Sequence, residues 1–159
     1  MKLGLLTDIH LNFLSQKQRH KFYTEIQAKN FDHLVIAGDI GEFFSFDTYL
    51  VELVSKVRCP IDFVLGNHDF YRGTIKGARH KAMGVQELGL GLTYLSSGKM
   101  IRLNDRAFLI GHDGWADTRA GDYKSSFVML SDFDLIQDFL GLEKYQRGAK
   151  MAELANDSL

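Results

Sequence analysis

The chain of 159 residues has a single cysteine, Cys59, and so no internal disulfide; that suits a reducing compartment. No apolar run approaches the ~20 residues of a membrane-spanning helix. The apolar start, Met1 to Leu6, is too short for a signal peptide and meets Asp8 almost at once. These absences lead us to expect a cytoplasmic protein with no membrane partner. Neither sign of charge dominates: 19 Lys and Arg face 20 Asp and Glu, for a net charge of −1. No global basic field therefore points to nucleic acid. There is no internal repeat, low-complexity tract or linker. No Gly-x-Gly-x-x-Gly follows the first apolar run, which argues against a dinucleotide-binding domain.

What is present reads as one globular α/β domain. A chain of this length buries about 68–70% of its unfolded surface, enough for a proper core. Lys2 to Leu6, His33 to Ala37 and Ile61 to Leu65 are short apolar runs, the last interrupted by Asp62, and each reads as a strand. Between them lie helical patterns, Gln16 to Lys29 behind an N-cap at Ser15, and Asp47 to Val57. Strand, helix, strand favours a right-handed parallel crossover. Another helix starts after Thr74. From Gly89 the runs shorten. Leu92 to Leu95, Met100 to Leu103 and Ala107 to Ile110 read as a meander with a turn at Asn104-Asp105, the makings of a second sheet. Phe127 to Leu140 reads as a short helix or ordered loop. A last helix runs from Glu143, with Met151, Ala152, Leu154 and Ala155 as its apolar set.

The chemistry gathers where the first three strands end. Asp8-Ile9-His10 follows the first, Gly38-Asp39-Ile40-Gly41 the second, and Gly66-Asn67-His68-Asp69 the third. In extended backbone, residues two apart share a side, so Asp8 and His10 are expected to aim at one point. Carboxylate with imidazole suits zinc, manganese or iron. Asp39 has two oxygens and can bridge two cations. Asn67 offers a neutral oxygen. His68 is a candidate general acid, and Asp69 a candidate partner that orients a histidine and raises its pKa. Other residues admit two readings. Phe43, Phe44 and Phe46 wall a substrate site or cover the core edge. Arg72, Lys76, Arg79, His80 and Lys81 face an anion or form a solvated helix face. Trp115 packs a loop or lines the pocket. His20 and His33 read as exposed or structural, and Cys59 as a buried, inert thiol.

Asp8-x-His10, Gly38-Asp39 and Gly66-Asn67-His68-Asp69 resemble the opening motifs of the calcineurin-like metallophosphoesterases, over roughly Met1 to Trp115. The resemblance implies a layered αββα sandwich and a metal-dependent phosphoesterase. Two divalent ions (manganese, iron or zinc) would share a hydroxide that attacks a phosphate mono- or diester. Asp8 and His10 would bind the first ion, Asp39 both, and Asn67 the second. His68 would protonate the leaving group, with Asp69 orienting it. The family continues with three more ligand histidines. This sequence has none after His112, and the resemblance argues against His112 as a ligand. Three readings stay open: a domain truncated on its C-terminal side, a short relative that completes its site with water, His112 or a partner chain, and a catalytically impaired binding module. An edge left unpaired by truncation would favour self-association.

Overall fold

The structure, a computed structural model, describes residues 1–158. Three β–α–β crossovers run in succession: β1 (Leu3–Leu6), α1 (Gln16–Gln27), β2 (His33–Ala37), α2 (Phe46–Val57), β3 (Ile61–Val64), α3 (Ile75–Glu87) and β4 (Leu92–Tyr94). The strands form one parallel sheet in the order β1-β2-β3-β4, with Leu5 opposite Val35, Ile36 opposite Phe63 and Phe63 opposite Tyr94. Consecutive parallel strands joined by crossovers of one hand place all the connecting helices on one face. In keeping with this, α1 packs on α2 and α2 on α3.

The core lies between that helical layer and the sheet. Leu34, Ile36, Ile61 and Phe63 point into it and are fully buried, as are Leu50 and Leu53 of α2. Burying side chains of this size is worth about 1.5–3 kcal/mol each. On the other face Leu3 and Leu5 of the edge strand β1 stay exposed. The helix starts follow their capping chemistry. Ser15 and Gln18 form a reciprocal capping box on α1, and the Thr74 hydroxyl accepts from the Gly77 N–H at the start of α3. Asp62, which breaks the apolar run of β3, is buried and lies 3.2 Å from His33 Nδ1 on the neighbouring strand. His33 is thus structural, and His20 is exposed. Cys59 is half-buried, and burial pushes its thiol pKa up, which lowers its thiolate fraction.

After β4 the structure departs from the expected meander. Leu92–Tyr94 is the fourth strand of the parallel sheet, because α3 supplies a third crossover. Only β5 (Ile101–Arg102) and β6 (Phe108–Leu109) pair antiparallel, around a turn at Asn104-Asp105. Among the described residues this hairpin is all there is of a second sheet. It is two pairs long, and Met100, Phe108 and Ile110 around it are exposed. The stretch from Phe127 resolves into an exposed segment without regular secondary structure, the one-turn helix α4 (Asp132–Leu135) and a 3₁₀ turn at Gln137–Phe139. The last helix, α5 (Lys144–Asn156), buries Met151, Leu154 and Ala155. No helix among the described residues is long and apolar enough to cross a membrane.

Candidate metal centre

The three motif turns leave the carboxyl ends of β1, β2 and β3, where open parallel sheets gather their sites. Their backbones are unusual. Asp8, His10 and Asp39 all sit at positive φ (52°, 40° and 52°). Asp and His are among the side chains that tolerate this left-handed region best, still at about 1–3 kcal/mol each. The turns are locked together. The His10 N–H donates to the Asp39 carbonyl and the Leu11 N–H to that of Ile40, both at 2.9 Å. Gly38 (φ 83°) and Gly66 press backbone against backbone. A Cβ on Gly66 would lie 2.1 Å from Asp39 Oδ1, so only glycine fits.

This packing brings three ligand-type side chains together. His10, Asp39 and His68 each offer a donor atom, all within 4.8 Å of one another. Asp39 is 8% exposed. Its Oδ1 accepts from the His68 backbone N–H at 3.0 Å, and its Oδ2 lies 3.7 Å from His10 Nε2. The two imidazoles meet edge to face, centroids 4.6 Å apart. Nδ1 of His10 and Nδ1 of His68 are both buried without a hydrogen-bond partner. Buried polar atoms in native proteins are almost always paired, at a cost of about 1–3 kcal/mol when they are not. An imidazole beside a carboxylate suits a divalent transition metal by donor type, and His68 stands next to both.

A family model described as calcineurin-like phosphoesterase matches residues 1–148. The chain belongs to that family. No curated protein and no solved structure matches it. The match runs past Trp115 and ends within α5, so it takes in the hairpin, α4 and the first turn of α5 as well as the three motif segments.

The motif residues do not all stand where the calcineurin-like phosphoesterase resemblance puts them. Asp8 is exposed, accepts from the Thr7 hydroxyl and lies outside the group of three. The alternation expected from extended backbone does not apply, because Asp8 and His10 are both left-handed. Asp69 is fully buried, but its partners are backbone amides and not the imidazole. Oδ1 accepts from the Ile40 and Gly41 N–H groups at 3.0 and 2.9 Å, and Oδ2 from Gly66 at 2.9 Å. Asp69 thereby ties the second motif turn to the third. Burial pushes its carboxyl up to about 7 while these three amides pull the other way. His112 accepts from the Gly114 N–H through Nδ1 and is not in the group of three.

Asn67 is held by groups that the motif does not contain. Its amide nitrogen donates to Asp132 Oδ1 at 2.7 Å and to the Tyr71 hydroxyl at 3.3 Å, and that hydroxyl donates to the same Asp132 oxygen at 2.7 Å. Burial first, then the Asp132 carboxylate, keeps the Tyr71 phenol protonated beyond the ordinary tyrosine range. The Tyr71 ring in turn stacks on His68, centroids 4.2 Å apart. Asp113 is a second buried anchor. It accepts from the Leu65 N–H, Ser96, Tyr94 and Arg79, joining the end of β3 to β4 and α3. Neither Asp132 nor Asp113 carried a sequence signal beyond its carboxylate.

A cleft of about 390 Å³ opens beside Asn67, bounded by Trp115, Leu130, Asp132 and Met151. Trp115 does both things open to it, stacking on Phe139 and lining this cleft. Phe46 is core, Phe43 packs over Gly73 and Gly77, and Phe44 is exposed. In the basic stretch, Arg72 pairs with Glu42, Arg79 with Asp113 and Lys81 with Asp47, which leaves little free positive charge for an anion.

Proposed function

We propose that this chain is a metal-dependent phosphoesterase that hydrolyses a phosphate mono- or diester. The observation that carries the reading is the His10, Asp39 and His68 group, with its two unpartnered buried nitrogens, at the strand ends of a calcineurin-like phosphoesterase domain. Two divalent ions are proposed, of manganese, iron or zinc. Asp8 and His10 would hold one, Asn67 would serve the other, and Asp39 would contribute to both. When bound, such ions activate a water and neutralise phosphate oxygens. The side chains do the rest. His68 delivers a proton to the departing alkoxide, the step in which a positioned imidazole is most effective. Asp39 holds the His68 backbone N–H, and Asp69 fixes the turns that carry both residues. The ester's organic group takes the cleft beside Asn67.

The test is hydrolysis of a chromogenic phosphodiester and a monoester by manganese-loaded protein. Turnover of either one that vanishes with chelator supports the reading; none, with metal bound, contradicts it. That second outcome favours a binding module of the same fold. One observation leans that way: the group holds three acidic or histidine side chains, fewer than two four-coordinate ions require.

A further inference from the structure

We propose that Asp132 is a positioning residue for the metal centre, setting which atom of Asn67 faces a bound ion. The inference rests on the phosphoesterase reading and adds a residue to it from outside the three motif turns. A side-chain amide has an oxygen that can bind a cation and a nitrogen that cannot, and the two exchange places by a half-turn about one bond. The motif alone leaves that choice open. Asp132 closes it. A carboxylate is an acceptor only, so the group 2.7 Å from its Oδ1 must be the amide nitrogen of Asn67. The second amide proton goes to the Tyr71 hydroxyl. With both protons engaged, Oδ1 is the one atom of Asn67 left for an ion.

Asp132 is itself well placed for this. It opens α4, and that segment is stitched to the turn behind His68. The Arg72 N–H donates to the Leu135 carbonyl at 2.6 Å, and the Gln137 N–H to Gly73 at 3.0 Å. Asp132 also receives the Tyr71 hydroxyl, whose ring lies against His68. One carboxylate thus acts on Asn67 directly and on His68 through the tyrosine ring. Partners one step removed from a metal typically change its affinity by about 10–100-fold when lost.

Two variants separate positioning from mere support. Asp132→Asn has the same size but presents an amide that accommodates either orientation of Asn67. Tyr71→Phe breaks the same tether between α4 and the motif turn, yet keeps the Asp132–Asn67 hydrogen bond and the ring against His68. Manganese affinity is read by titration calorimetry on the full chain, with thermal melting as the check on fold. Expected is a loss of about 10–100-fold in Asp132→Asn and less than about threefold in Tyr71→Phe, both melting near wild type. Wild-type affinity in Asp132→Asn, or equal losses in the two variants, overturns the positioning role and leaves the phosphoesterase reading standing. A wild-type chain that takes up no manganese overturns both.

Discussion

His68 stands at the meeting point of the site: its backbone N–H holds Asp39, its ring meets His10 on one side and Tyr71 on the other. Replacing it by alanine is expected to slow turnover by about 10²–10⁴-fold, the range for a lost general acid, with metal content unchanged at saturating manganese. Steady-state rates with metal analysis on the same sample decide it; wild-type turnover in His68→Ala removes the residue from the chemistry. At this scale the sequence was informative about identity and poor about direction. His10, Asp39 and His68 lie together at the strand ends. Asp8 does not join them, because left-handed backbone at both Asp8 and His10 breaks the alternation of an extended strand. Asp69 looked like the partner of a histidine and serves backbone amides instead. Asp132, 65 residues from Asn67, was invisible, since nothing local marks a contact that only the fold creates.

The elements that matter are the turns, and Asp69 is the clasp between two of them. Asp69→Ala leaves three buried N–H groups without an acceptor, at about 1–3 kcal/mol each. The expected loss is at least about 3 kcal/mol in urea unfolding, and smaller for Asp69→Asn, which keeps one acceptor oxygen. A loss below about 1 kcal/mol in the alanine variant would mean the clasp is not structural. The strands and helices up to α3 were legible because their signals are local: apolar runs of four or five residues, a capping box at Ser15, a cap at Thr74. Past Gly89 the turn at Asn104-Asp105 and the last helix were legible too, but the sheet pairing was not. Leu92–Tyr94 looks like any short strand, and only pairing with β3 decides that it extends the parallel sheet. The two-residue strands β5 and β6 have too few residues to show an alternation.

Across the whole molecule, buried polar anchors join segments far apart in the chain, and they leave a signature in pH. Burial, then the Asp113 charge, holds the Tyr94 phenol well above the usual tyrosine range; Tyr23 and Tyr71 are shifted the same way. The unfolded chain releases these protons near pH ~10 and the folded one keeps them. The folded state then binds more protons, so stability falls as pH rises past ~10. Tyr94→Phe is expected to flatten that fall in denaturant midpoints followed from pH 8 to 11. An unchanged profile would mean that Tyr94 does not hold its proton.

The parallel sheet and its three crossovers bring His10, Asp39 and His68 to one point, the first two as proposed metal ligands and His68 beside them as the proposed proton donor. The most direct measurement is metal content per chain after manganese loading and desalting, in the wild type and in Asp39→Asn. We expect close to two ions in the wild type and a loss of both in the variant, because the proposal has Asp39 contribute to both. A wild type without metal, or an Asp39→Asn variant that retains both ions, would contradict the account.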